Sequence, residues 1–417
     1  MMAPEYEVYE ELARNERFLL HRACCQEDSR PVLLKAPARE PASPFEVRLL
    51  EHEYAILQGL ALPGVIRVRE FLRHDHGCCL VLEDRGGTPL QALLPWHQPD
   101  LDAFFKLATQ LATLLTELHR QQIVHKHLNP CSILIHPATG EVCLADFSLA
   151  SRAVSETPTS SPLALMPSTL AYLSPEQTGR MNRAVDYRTD FYSLGIICYE
   201  LLTSSPPFCS DDVLELIHCH IAMRPTPPYE IAAKIPEPLS RIVMKLLAKT
   251  AEERYQSALG LRADLEHCAR QWGAQGDIAP FPLGQQDISD RFIVPQHLYG
   301  RGQQLAELQR AFEQTCQGHS ACLLVAGYAG IGKTTLIQEL YKPLVRQRGY
   351  FIAGKFDQLA RNIPYYAFIQ AFRQLVQRLL AEGEERLHAW RVQLAAALGV
   401  NGGVLAEVLP EIELDPG

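Results

Sequence analysis

At 417 residues, with 47% hydrophobic and 21% charged side chains, the chain is too long for one ordinary domain and apolar enough to bury two or three cores. A net charge of −9 and an isoelectric point near 5.9 argue against nucleic acid as a main partner. No uninterrupted apolar run reaches the roughly 18 residues of a membrane span, and the acidic start MMAPEYEVYEEL lacks the apolar segment of a secretory signal. Twelve cysteines without a C-x-x-C pair predict free thiols in a reducing cytoplasm.

Residues 1 to about 90 alternate short β-like runs with one helix. PVLLKA, around Lys35, predicts a strand. FEVRLLEHEYAILQGL predicts an amphipathic helix with Leu49, Leu50, Glu53, Ile56 and Leu57 near one face. GCCLVLED, from Gly77, predicts another strand, and Gly86-Gly87 a hinge. From about residue 100 apolar positions take helical spacing, first in FFKLATQLATLLTELH, then in TDFYSLGIICYELLT and PLSRIVMKLLAK. Between Gly273 and about Pro295 the chain turns to Gly, Pro, Gln and Asp, the composition of a linker. A second periodic region opens with LYGRGQQLAELQRAF. There ACLLVA and YFIAGKFD predict strands and TTLIQELYKPLV a helix. The boundaries expected are 1–272, divided near residue 87, a linker over 273–297, and 298–417.

The stretch His125-Lys126-His127-Leu128-Asn129-Pro130-Cys131-Ser132 echoes H-R-D-L-x-x-x-N, in which Asp accepts a substrate hydroxyl proton and Asn holds Mg²⁺. The Asp position here is His127 and the Asn position is Ser132. Around it, in order, stand Lys35 on a predicted strand and Glu53 on the next helix, able to pair. Then come Asp146-Phe147-Ser148 at a metal-binding D-F-G position, Ser174-Pro175-Glu176 for A-P-E, Asp190 opening an apolar helix, and Arg254, placed to pair with Glu176. This order and spacing is that of the protein-kinase fold. LAYLSPEQTGRMNRAVDYRTDFYSLGIICYELLTSSPPF, LYGRGQQL and GKFDQLARNIPYYAFIQAF extend the likeness over nearly the whole chain. The chain resembles large bacterial multidomain signalling proteins. In these a serine/threonine-kinase-like domain precedes an AAA or STAND P-loop module, often with GAF and histidine-kinase domains downstream. The resemblance implies an α+β two-lobed protein-kinase fold followed by the beginning of an α/β P-loop NTPase domain.

Family members usually carry Asp and Asn where this chain has His127 and Ser132. Asp146 is still able to hold one Mg²⁺, while Ser132 offers a weaker neutral hydroxyl. His127, with an ordinary pKa near 6.5, is able to accept a proton but is bulkier than a carboxylate. Losing a positioned base costs about 10²–10⁴-fold. The first glycine of the chain is Gly59, so no G-x-G-x-x-G precedes Lys35. The corresponding turn, LARNERFLLHRA, carries Asn15 and Glu16 instead.

Gly327-Tyr328-Ala329-Gly330-Ile331-Gly332-Lys333-Thr334 fits G-x-x-x-x-G-K-[ST] in full. In such a loop the backbone amides cradle the phosphates, Lys333 reaches the β- and γ-phosphates, and Thr334, followed by Thr335, ligates Mg²⁺. No acid following an apolar strand stands clearly after Thr335 as a Walker B residue, and the chain is expected to end before that strand. The leading expectation is an impaired, regulatory kinase-like domain fused to an ATP-binding P-loop module, cytoplasmic, with Mg²⁺ as cofactor. Its partners would be downstream signalling domains or other proteins. Two alternatives stay open: an active serine/threonine kinase, and an interaction scaffold that binds no nucleotide.

Overall fold

The computed structural model describes residues 5–74, 77–94, 100–152, 167–179, 183–210, 212–288, 300–328, 331–340, 344, 350–356, 364–379, 390, 392–394 and 396. The chain divides into two compact units, 1–299 and 300–417.

The first unit opens with β1 (Tyr6–Arg14), β2 (Phe18–Cys25), β3 (Pro31–Pro37), helix α1 (Pro44–Gln58), β4 (Val68–His74) and β5 (Gly77–Glu83). The strands form an antiparallel sheet in the order β1-β2-β3-β5-β4. Leu20 faces Lys35 across β2 and β3, and Lys35 faces Leu80 across β3 and β5. Because strand side chains alternate, Phe18, Leu33, Leu80 and Leu82 fall on one face and join the main core. Ala23, Val32, Leu34, Ala36, Cys79 and Val81 fall on the other and form a second cluster. The Tyr6 hydroxyl donates to Glu70 Oε1 at 2.5 Å, tying the outermost strands together and curling the sheet.

Helix α1 starts where the sequence signals it. Ser43 and Glu46 close a reciprocal capping box and Pro44 takes the first turn. Its buried stripe is Leu50, Glu53, Ile56 and Leu57, which carries one carboxylate into the core beneath β3.

The remainder of this unit is mainly helical: β6 (Thr88–Pro89), α2 (Leu101–Arg120), β7 (Ile133–Ile135), β8 (Val142–Leu144), α3 (Pro167–Leu170), α4 (Arg188–Thr203), α5 (Val213–Ala222), α6 (Pro228–Ile231), α7 (Glu237–Leu246) and α8 (Ala258–Gln275). Helix α4 is buried along most of its length, from Arg188 to Leu202, so other helices can pack around it. Gly195 lets α7 approach closely, since a Cβ there would stand 2.7 Å from that of Leu246.

The stretch read as a linker does not leave the helical lobe at once. Ile278 is buried in the main core with Phe281 and Leu283 against it. The Asp287 carboxylate accepts the N–H of Gln256 at 2.9 Å and that of Ser257 at 2.8 Å.

The second unit holds α9 (Gly302–Cys316), α10 (Lys333–Gln338) and α11 (Tyr366–Leu379). Two expectations fail here. Residues 321–326 and 350–356, both read as strands, are irregular, and Leu324 is 93% exposed. An apolar strand of a parallel sheet is held by neighbours on its edges and helices on its faces, and among the described residues neither segment pairs with a strand; Ala353 and Lys355 donate instead to the Gln374 and Gln370 side chains. Asp357 lies outside the described residues. Among them no helix is long and apolar enough to cross a membrane.

Candidate functional site

Between the sheet and the helical lobe four charged or titratable groups converge. Lys35 Nζ, on β3, donates to Glu53 Oε2 at 2.6 Å and to Asp146 Oδ1 at 2.7 Å. The other Glu53 oxygen accepts the Phe147 N–H at 2.9 Å. Asp146 takes three further bonds, from Ser148 Oγ and N–H to Oδ1 at 2.6 and 3.5 Å and from His127 Nδ1 to Oδ2 at 3.1 Å. Asp146 adopts the left-handed φ of +60°, a strained conformation that persists only where its surroundings enforce it.

These contacts set the charges. Burial disfavours ionised Asp146, but Lys35 and His127 outweigh it and hold the carboxyl well below the usual range. At Glu53 burial wins over Lys35 and the carboxyl is raised. Burial would strip the Lys35 proton, yet Asp146 and Glu53 together raise its pKa.

The loop between α2 and β7 is suspended from Asp190 at the start of α4. That carboxylate accepts the backbone N–H of His125 at 2.9 Å and of Lys126 at 2.8 Å, with His119 Nε2 at 2.9 Å. His125 is wholly buried, and its Nε2 bonds the Ala145 carbonyl at 3.0 Å. His127 therefore sits beside Asp146 with Nδ1 engaged. Its Nε2 is buried and has no hydrogen-bond partner among the described residues. The space next to it, lined by Asn129, Tyr172 and Leu173, is about 10 Å³, room for about one water.

The Ser132 carbonyl accepts the Ala145 N–H at 2.8 Å, beside Asp146, but its hydroxyl bonds within its own loop. The residue is fully buried, and its hydroxyl accepts the Asn129 N–H at 3.0 Å and donates to the Asn129 carbonyl at 2.9 Å. Asn129 itself braces the loop, its Nδ2 donating to the His127 carbonyl at 2.8 Å and its Oδ1 accepting from Cys131 N at 2.9 Å. The sequence reading missed Asn129 and Ser148. Their signal was only local: short polar side chains two or three residues from backbone groups they can bond.

The resemblance to kinases and P-loop ATPases implies ATP and Mg²⁺. The kinase-type cleft, bounded by Phe18, Leu20, Lys35, Leu82, Cys131, Ala145 and Asp146, has a volume of about 50 Å³, whereas ligand pockets run roughly 300–1,000 Å³. With both Asp146 oxygens already holding donors and the Ser132 hydroxyl turned into its loop, the residues present do not fit Mg-ATP. A far larger cavity, about 900 Å³, lies elsewhere, lined by parts of α2, β8 and α8, and none of the site residues borders it.

Glu176 and Arg254 meet in the helical lobe through two bonds of 2.6 and 2.8 Å, both side chains buried. In the second unit Lys333 Nζ donates to the carbonyls of Gly327 and Tyr328, each at 2.8 Å, so the ammonium lies over the loop. Gly332 takes a φ of +91°, which favours glycine. Thr334 is exposed and Thr335 half-buried at the start of α10. Ala329 and Gly330 lie outside the described residues. What is described fits a phosphate group: Lys333 and the loop amides would hold it, with Thr334 free for Mg²⁺.

A buried Lys–Glu pair beneath a curled five-stranded sheet, an aspartate-hung loop and a strained Asp146 across two lobes define a protein-kinase fold, here followed by an AAA P-loop domain. The chain belongs to the protein kinase domain family, whose model matches residues 20–266, and the model of the AAA ATPase domain matches residues 297–415. It is similar to hybrid signal transduction histidine kinase G of Dictyostelium discoideum, 36% identical over 60% of this chain and 8% of that protein. It is also similar to the serine/threonine-protein kinase PknB of Mycobacterium leprae, 40% identical over 35% of this chain and 23% of the relative. Histidine protein kinase 1 of Candida albicans is 26% identical over 60% of this chain and 11% of its own length. The chain thus spans less than a quarter of each of these relatives.

Proposed function

We propose that the chain is a regulatory signalling component in which the kinase-type domain transfers no phosphate and the P-loop module binds ATP. The observation that carries the first half is His127. One ring nitrogen is committed to Asp146 and the other is buried without a hydrogen-bond partner among the described residues, a posture that does not offer the residue at the base position to a substrate hydroxyl. The fully matched Walker A sequence and the posture of Lys333 support the second half. The names of the relatives support a signalling role, and the domain then acts on neighbouring signalling domains or partner proteins. Twelve free thiols suit a cytoplasmic setting.

The test is radiolabel transfer from ATP to the chain itself and to a generic basic protein. Wild type is expected to stay at background. His127→Asp with Ser132→Asn raises transfer only partly, since base and metal ligand act as a unit while the cleft stays small. Robust wild-type transfer that Lys35→Ala abolishes would overturn the reading in favour of an active serine/threonine kinase. For the P-loop, equilibrium ATP binding should fall by most of its amplitude in Lys333→Ala and change little in Lys35→Ala. Equal losses in the two variants would remove the assignment.

A further inference from the structure

The turn joining β1 to β2 occupies the place of the phosphate-gripping loop, and it is closed on itself. Asn15 N–H donates to the Phe18 carbonyl at 3.0 Å. The Asn15 side-chain oxygen accepts the N–H of Arg17 at 3.0 Å and of Phe18 at 2.7 Å. In a glycine-rich loop such amides face the phosphates; here three of them are consumed inside the turn. The Arg17 carbonyl is fastened in turn to the Ala38 N–H at 2.6 Å, beyond the end of β3.

This turn delivers Phe18 inward. Its side chain is 3% exposed and its ring centroid stands 4.9 Å from Lys35 Nζ, on the sheet face that looks onto Asp146. Leu33 stands on the same face, at the alanine of V-A-I-K, and is 1% exposed. Both belong to the main apolar core with Leu82. Enlarging the 50 Å³ cleft would require Phe18 to leave that core and Asn15 to release two amides.

We infer that Phe18, locked in place by the Asn15 turn, excludes adenine nucleotide from the kinase-type cleft, so that the small lobe is a packed core and not a ligand site. The inference rests on the non-transferring reading above and goes beyond it, because a kinase fold without a base can still hold nucleotide. Phe18 is the residue that decides exclusion; Asn15 positions it.

The experiment is photolabelling of the full chain with 8-azido-ATP and Mg²⁺, followed by peptide mapping. In wild type the label should fall in the P-loop segment and be absent from peptides carrying Phe18, Lys35, Leu82 or Cys131. In Phe18→Gly, labelling of those cleft peptides should rise by roughly tenfold or more, with Phe18→Leu between the two. Circular dichroism reports whether each variant is folded. If Phe18→Gly does not fold, wild type and Phe18→Leu decide. Cleft labelling in wild type overturns the inference, and so do folded Phe18 variants that gain no label. A wild type that labels in the cleft yet transfers no phosphate would sink exclusion and leave the non-transferring reading standing, whereas transfer would remove that reading itself.

Discussion

At the scale of single residues, the buried charges of Lys35, Asp146, Glu176, Asp190 and Arg254 are each met by a partner group. Glu176 illustrates what the matching contributes. Burial alone would raise its carboxyl, but the Arg254 guanidinium outweighs burial and lowers it below the ordinary 4.5. Removing one partner of a buried pair leaves the other charge uncompensated, at a cost of about 3–5 kcal/mol. Glu176→Ala should therefore lower the melting temperature of the kinase-type unit far more than Glu27→Ala, an exposed control, at roughly 2–4 °C per kcal/mol. The pH dependence has a definite sign. The folded pKa is depressed, so below 4.5 the unfolded chain binds the proton more readily than the folded one. The pair's contribution is complete above that value and is lost as pH falls through the folded pKa. Glu176→Gln should flatten this acid limb in a series of thermal melts, and an unchanged limb would show that other carboxylates dominate it. Lys35, Glu53, His127 and Asp146 obey the same rule, which is why Asp146 presents no oxygen without a donor.

At the scale of elements, legibility followed the length and periodicity of the pattern. The stripe of Leu50, Glu53, Ile56 and Leu57 was readable because a helix repeats its face every 3.6 residues, and it led directly to the Lys35–Glu53 pair. Asp190 and the Glu176–Arg254 pair were readable for a related reason: they anchor long apolar helices whose order along the chain is distinctive. The direction a short side chain takes inside a loop was not readable. Ser132 stands one carbon short of the asparagine it replaces, and that shortness lets its hydroxyl reach Asn129 in its own loop. Phe18 was not singled out within the turn LARNERFLLHRA, where only Asn15 and Glu16 stood out by their polarity. Only the closed Asn15 turn and the register Leu20 to Lys35 reveal that its ring faces the cleft. The apolar segments 321–326 and 350–356 mislead in the opposite direction, since strand composition is a preference for a pleated, half-buried surface and does not by itself create one.

At the scale of the whole molecule, the kinase-type unit is completed by residues whose composition reads as spacer. After α8 the chain runs back along the lobe. Gly284 N–H donates to Asp264 Oδ2 at 2.8 Å, and that same oxygen accepts the Tyr255 hydroxyl at 2.6 Å. Asp287 then receives Gln256 N, Ser257 N and Ser257 Oγ, and so braces the start of α8 from 30 residues further on. The backbone must come close for this: a Cβ on Gly260 would stand 2.5 Å from the Asp287 Cα. The segment thus shares hydrogen bonds and core contacts with Arg254's neighbourhood and should unfold with the lobe in one transition. Asp287→Ala leaves buried donors unmatched, which costs about 1–3 kcal/mol, and should lower the melting temperature of this unit by a few degrees. Hydrogen exchange offers the sharper check. In wild type the amides of Gln256 and Ser257 should be protected to nearly the same degree as those of α8, and in Asp287→Ala that protection should fall at those two positions first. If the substitution changes neither melting nor exchange, residues 276–288 are a spacer after all and α8 is capped by Ser257 alone.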